Sequence, residues 1–394
     1  MSNPYNCAEP GNCFVGYEDL RNNIRNNLQN NHSYAIIGGR RCGKTSMLMQ
    51  IEKDLEKAAE QDPGILPRRF SVNELGDVSP ARLFEEIFSL IVRDIDVGHF
   101  EFEDYEPGYE YQTFQKNLDK AFDALKHQYG PDWKVILLID ELDAAVSKLP
   151  NDQFFQNLRN LDMESRFNRH FRLIVTGVKD MADLILAGSP LNQLSNEFLR
   201  VLTVEETKEL VQKGFSPDSA YDLSSLYKLT GGHPYLLQGI LEIMWDKKEE
   251  EWSKQKLRKA GKTFLKKHRD FKRWLDTFSP CEKAVYKCLA EALQGEANIG
   301  YIRSKTDPLL HPEIEDALQV LSYHGLIDDR DEDYPEIAGT LFKEWFLANC
   351  PVQPTQQNET SVPIEHAGEK FTSSPPNIIV SPNIKIHLEQ TQNQ

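Results

Sequence analysis

The chain has 394 residues, 40% of them apolar and 27% charged, a composition that supplies enough apolar material for two or three folded units. No apolar run approaches the roughly 18–20 residues that span a bilayer, and the N-terminus MSNPYNCAEP lacks the basic and apolar regions of an export signal, so a cytoplasmic protein is expected. A formal charge of −16 argues against the whole molecule acting as a polyanion binder, and six cysteines without CxxC spacing predict reduced thiols, not a zinc site.

In chain order, a first helix is expected over Asp19 to Asn31, and Tyr34 to Ile37 reads as a short buried strand ending in glycines. From Lys44 onward, Met47, Leu48, Ile51, Leu55 and Ala58 recur at helical spacing, so strand, glycine turn and amphipathic helix follow in direct succession. Arg68 to Val72 is a second strand, and Ser79 caps a helix with Pro80 at its first position. The acidic, aromatic stretch Asp94 to Glu110 looks like an insertion, and the helix carrying Phe114, Leu118, Phe122 and Leu125 stops at Gly130. Val135 to Ile139 is a run of consecutive apolar residues, the pattern of a strand covered on both faces, and Phe171 to Val175 is another. Strands alternating with helices predict a parallel α/β sheet over about Val15 to Ala187.

Beyond the sheet the chain turns helical, with segments at Val204 to Lys213, Asp218 to Lys228 and Tyr235 to Asp246. Pro280 to Asn349 reads as helix, short extended piece, helix, Asp-rich turn and final helix, the order of a small winged-helix domain. From Pro351 the composition shifts to Pro, Gln, Asn, Ser and Thr, which cannot bury enough apolar area to offset chain entropy. Within that tail Ile384, Ile386 and Leu388 alternate with polar residues, so residues 377–389 are either a strand-like docking peptide or a chance alternation. The expected division is an N-terminal segment 1–13, a core 14–187, a helical lid domain with a basic linker helix 188–274, a winged-helix domain 275–349 and a flexible tail 350–394.

Gly38-Gly39-Arg40-Arg41-Cys42-Gly43-Lys44-Thr45, followed by Ser46, matches G-x4-G-K-[ST] where the mechanism requires it, after a strand and opening a helix. Backbone N–H groups of such a loop curl around phosphate oxygens, and the helix N-terminus adds its dipole. Lys44 would contact the β- and γ-phosphates of ATP, and Thr45 would offer its hydroxyl to Mg2+. Cys42 reads as a tolerated loop side chain. The buried run ending at Ile139 continues into Asp140 and Glu141: Asp140 is suited to hold the Mg2+ shell, Glu141 to orient or deprotonate the attacking water. Thr176, ending the next buried strand, is either a polar sensor of the γ-phosphate or an ordinary strand end, and Asp143 is either an acid supporting the site from behind or, more simply, a solvated helix-start residue.

Phe14-Val15-Gly16-Tyr17-Glu18, the loop Gly39 to Ser46, Asp140-Glu-Leu-Asp143, Ser189-Pro-Leu191 and Gly231-Gly232-His233-Pro234-Tyr235 together resemble the AAA-like ATPases called archaeal-type or STAND NTPases, relatives in fold of the origin-recognition ATPases. The resemblance covers residues 14–349. It implies a P-loop NTPase core of the ASCE, AAA-like kind, followed by a helical lid domain and a winged-helix domain. It also implies that Val15 and Gly16 lie near the adenine and that Gly232, His233 and Pro234 contact the nucleotide from the helical domain. The family box usually reads Phe-Val-Gly-Arg, and Tyr17 stands here for the arginine, so no role of that arginine carries over. Arg159, Arg166, Arg169 and Arg172 are arginine-finger candidates only by position, a solvated helix face being the default.

Two functions follow. The first is a slow, regulatory ATPase switch, with ATP and ADP selecting different domain arrangements, in the bacterial defence and conflict setting that the resemblance implies. It would act by self-association or on a separate effector protein, through the tail 377–389. The second is a DNA-associated ATPase of origin-recognition type. Its recognition-helix candidate, His311 to Gly325, carries Glu313, Glu315 and Asp316 with no lysine or arginine, and the turn Asp328 to Asp333 is acidic, so nucleic acid is the less favoured partner. The basic stretch Lys254 to Arg273 either neutralises that acidic domain or binds a polyanion.

Overall fold

A computed structural model describes residues 2–350 apart from 12, 29, 97–100, 217–220, 250, 269, 294 and 329–332. The tail with its strand-like segment 377–389, and most of the Asp-rich turn, lie outside the described residues. Short aliphatic runs make the centre. β1 (Tyr34–Ile37), β2 (Ile65–Ser71), β3 (Lys134–Asp140), β4 (Phe171–Gly177) and β5 (Ser195–Phe198) form one parallel sheet in the order β2-β3-β4-β1-β5. β4 thus separates β1 from β3, and the carboxyl ends of these three strands lie side by side.

Side chains alternate across a strand, and both faces are dry. Tyr34, Ile36, Ile136, Leu138 and Ile174 point to one core, which α1 (Glu18–Leu28) and α2 (Lys44–Ala59) cover. Ala35, Ile37, Leu137, Ile139 and Val175 point to the other, under α3 (Pro80–Val92), α4 (Glu110–Tyr129) and α5 (Gln153–Arg159). Ser79 caps α3 as its sequence predicts, accepting from the Arg82 N–H, with Pro80 at the first position. The short α6 (Lys179–Leu184) follows β4.

After β5 the chain is mostly helical: α7 (Val204–Gln212), α8 (Leu223–Thr230), α9 (Pro234–Asp246), α10 (Lys254–Lys267) and α11 (Asp270–Thr277). α12 (Pro280–Glu291), α13 (Ile299–Lys305), α14 (Ile314–Tyr323), a hairpin of β6 (Ile327–Asp328) with β7 (Glu336–Ile337), and α15 (Thr340–Asn349) complete it. Residues up to Pro351 belong to one compact unit, and its subdivision at residues 187 and 274 is a proposal about which parts move.

Two expectations are corrected, and one strand was not expected. Ile299–Lys305 is helical, not extended, because Asn298 caps it by accepting from the Tyr301 N–H. The basic stretch is two helices, broken where His268 turns extended. β5 escaped notice because Ser-Asn-Glu-Phe is only half-buried at alternate positions, leaving no apolar run.

Phe84 is fully buried, with the rings of Tyr111, Phe114 and Phe154 at 5.6, 5.4 and 5.1 Å. Phe84→Ala should remove about 3–5 kcal/mol of stability. Urea unfolding would show a lower midpoint at unchanged slope, and a wild-type midpoint would contradict this packing.

Candidate functional site

The loop after β1 turns into α2 through Gly43, whose φ of +95° is open to glycine and costly for other residues. No side chain caps α2, so its first-turn amides remain available to an anion. Lys44 is 8% exposed, and its Nζ donates to the carbonyls of Gly38 (2.8 Å) and Gly39 (2.9 Å). An ammonium has three donors, so one is left for a phosphate oxygen. Burial lowers the Lys44 pKa, opposed by Cys42 and by the carboxylates of Asp143, Asp140 and Glu141.

Those acids come from the adjacent strand ends. The Thr176 hydroxyl donates to Asp140 and accepts the Glu141 N–H at 3.0 Å, so its placement is that of a residue holding the two acids. The Glu141 Oε2 accepts from the Asn73 side-chain amide at 2.6 Å and the Ser71 hydroxyl at 3.4 Å, both just beyond or at the end of β2. Glu141 has a φ of +55°, a conformation costing about 1–3 kcal/mol, and Tyr17 and Arg41 share it at +60° and +66°. All three line the same cavity. Asp143 accepts the Val178 N–H at 2.7 Å, and burial raises its pKa.

That cavity holds about 570 Å³ and is walled by Val15, by the loop from Arg40 through Ser46, by Glu141 and by Pro234. Gly16, Gly38, Gly39, Asp140, Thr176 and His233 lie outside its wall. The N-terminal segment, assigned no role from sequence, supplies another wall from Asn6 to Gly11. It is tied at both ends: the Gly11 N–H donates to the Ser46 hydroxyl at 3.2 Å, and Asn3 donates to Asp246 at 2.9 Å. Tyr17, in place of the family arginine, is buried and donates to the Arg200 carbonyl. The Arg200 guanidinium lies 5.2 Å from the Tyr17 ring and pairs with Glu206 at 2.6 and 2.8 Å, so a cation is present beside this position after all.

Two distant histidines meet the loop from behind. His233 is fully buried, its Nε2 3.7 Å from the Cys42 sulfur and its ring stacked on Trp274 at 5.1 Å. The end of α14 docks beside it: the Tyr323 carbonyl accepts the Gly39 N–H at 2.7 Å and the Cys42 thiol at 3.4 Å. Gly39 is required there, because a Cβ would fall 2.6 Å from the His324 Cα. Burial pushes the His233 pKa down to about 4; burial and then the Lys44 charge push His324 down to about 3. The Cys42 thiol is raised to about 11 by burial, so it is not a thiolate nucleophile. The arginine-finger candidates lie elsewhere: Arg159 bonds Asn192, Arg166 bonds Asp119, Arg169 reaches His170 and Arg172 is buried near Asp162.

Residues 22–240, more than half of the chain, match the family described as an ATPase domain predominantly from Archaea. The chain belongs to this archaeal-type ATPase family. Its fold is similar to a Walker-type ATPase of Pyrococcus abyssi, with a TM-score of 0.56 and 15% identity over 86% of this chain and 98% of that one. It is also similar to the Aeropyrum pernix ORC2 protein, solved as ADPNP-ADP complexes, with a TM-score of 0.51 and 15% identity over 84% and 91%. At that identity the likenesses show the P-loop NTPase α/β fold alone. No curated protein matches the sequence. In this archaeal-type ATPase, Asn73, Tyr323, His324 and the N-terminal segment were missed by sequence reasoning. Only Asn73 left a signal, a polar residue following a buried strand whose carboxyl end meets the site.

Asn73→Ala should free the Glu141 carboxylate to turn toward a water in the cavity, increasing basal phosphate release about threefold or more with nucleotide affinity unchanged. Unaltered turnover would show that the contact does not restrain Glu141. A second expectation concerns pH. Both histidines are held below the ordinary value of 6.5 in the docked state, so undocking favours protonation. The packing of the α14 end on the loop should therefore be fully stable above about pH 6.5 and weaken as pH falls toward about 4. Trp274 fluorescence should report this transition, and His324→Gln should diminish it; a flat profile in the wild type would contradict it.

Proposed function

We propose that this chain is a nucleotide switch that binds ATP and hydrolyses it slowly, its C-terminal helical segment undocking from the phosphate loop as nucleotide state changes. The observation that carries this reading is the hydrogen bond from the Gly39 N–H to the Tyr323 carbonyl, which ties the phosphate loop to a residue nearly three hundred positions away. The cavity is of mononucleotide size, within the usual range of about 300–1,000 Å³ for small-ligand sites. Lys44 and the α2 N-terminus would bind the β- and γ-phosphates, and Glu141 would take the proton of the attacking water. Thr45 and Asp140 supply hard oxygen donors that fit Mg2+, which when bound would neutralise phosphate charge. Val15 and Pro234 would flank the rest of the nucleotide.

The STAND assignment, a winged helix in the last helices and hairpin, the defence setting and a partner captured by self-association or an effector all belong to this reading. The alternative, a DNA-associated origin-recognition-like ATPase, draws support from the likeness to the ORC2 protein. The acids Glu313, Glu315 and Asp316 at the start of α14 weigh against using that helix in a DNA groove.

Lys44→Ala should lower ATP affinity at least about a hundredfold, whereas Glu141→Gln should keep ATP bound and lose hydrolysis. Equilibrium binding and phosphate release separate the two, and normal hydrolysis by Glu141→Gln would remove it from the chemistry. Light scattering with ADP and with a non-hydrolysable ATP analogue tests the switch: identical mass and shape in both states would refute it.

A further inference from the structure

α10 carries seven cations and no acid on a chain of net charge −16. Its apolar row, Leu257, Ala260, Gly261 and Phe264, is buried, with Gly239 of α9 close against Phe264. On a helix of 3.6 residues per turn, Lys259, Lys262 and Lys266 fall within about 60° of one another and about 180° from that row. All three are exposed and span about 10 Å along the axis. Lys254, Arg258 and Lys267 flank them.

The bland explanation is that this charge neutralises acids beside it. Among the described residues only Lys256, paired with Glu249 at 2.7 Å, and Arg258, 3.7 Å from Glu344, make ion pairs from this helix. Among the described residues Arg258 is the single one that reaches the acidic C-terminal segment, and Lys259, Lys262 and Lys266 have no carboxylate within ion-pair distance. We infer that the solvent face of α10, centred on Lys259, Lys262 and Lys266, is a binding surface for the phosphodiester backbone of a nucleic acid.

Other anionic partners fit less well. A membrane-surface helix must present its apolar row to lipid, and here that row is buried inside the protein. A protein interface needs an aromatic or aliphatic anchor, and none of the exposed large apolar side chains lies on α10 or α11. Lysines without such anchors contact phosphates as point charges and read no bases, so binding is independent of sequence. This surface also differs from a groove-reading α14, whose first turn is acidic.

The test is fluorescence anisotropy of a labelled DNA duplex titrated with the full-length protein between about 50 and 200 mM salt. Wild type should bind without sequence preference and with a log K against log salt slope of about −3 or steeper. The triple variant K259Q/K262Q/K266Q should lose at least about tenfold in affinity and flatten the slope by about 3, while binding ATP and unfolding thermally as wild type does. Absence of wild-type binding at low salt, or equal binding by wild type and variant, would overturn the proposal. Competition by poly-glutamate as effective as by unlabelled duplex would also overturn it, assigning the face to an acidic protein. ATP binding in the same samples separates failure of this surface from failure of the nucleotide reading.

Discussion

The Lys44 ammonium is almost out of water, and the surrounding structure is organised around compensating it. A buried charge without partners would cost several kcal/mol, so the loop bends two of its own carbonyls onto Nζ and the sheet brings three carboxylates into its field. This convergence requires β1, β3 and β4 to be parallel and adjacent, since only then do Lys44, Asp140, Glu141 and Thr176 meet at one edge. The positive φ at Tyr17, Arg41 and Glu141 indicates that local backbone preference yields to that arrangement.

The same loop joins parts of the chain that share no local sequence relation. The N-terminal segment reaches it through Ser46, α9 through His233 behind Cys42, and α14 through the Tyr323 carbonyl. Each contact is short and small, so none holds the assembly by itself. Burial lowers the pKa of both histidines there, and for His324 the Lys44 charge lowers it further.

Charge is distributed unevenly over this acidic molecule. Acids concentrate near the α14 start and in the sequence between α3 and α4, while α10 turns an uncompensated row of lysines to solvent. In an acidic protein such a row is electrostatically attracted to the rest of its own surface. Among the described residues the ion pairs of this helix are made by Lys256 with Glu249 and by Arg258 with Glu344, and the row itself makes none.

How much of this was legible from the residues alone depends on how local each feature is. The strand, glycine loop and helix from β1 into α2, the acidic end of β3, the strand β4 and the capped α3 were readable, because spacing, apolar runs and a Ser-Pro start are properties of neighbouring residues. β5 was not, because half-buried polar residues carry no periodic signal. Asn73 left a signal as a polar residue after a buried strand, but its pairing with Glu141 did not, nor did Arg200 beside Tyr17 or Tyr323 and His324 on Gly39, since each pairs residues far apart in sequence. The sequence determined which chemistry is present and where each helix and strand begins to form, through patterns within a few residues. Tertiary structure alone decided which distant side chains restrain that chemistry, because contacts across the fold are set by how the helices pack and leave no trace in local spacing.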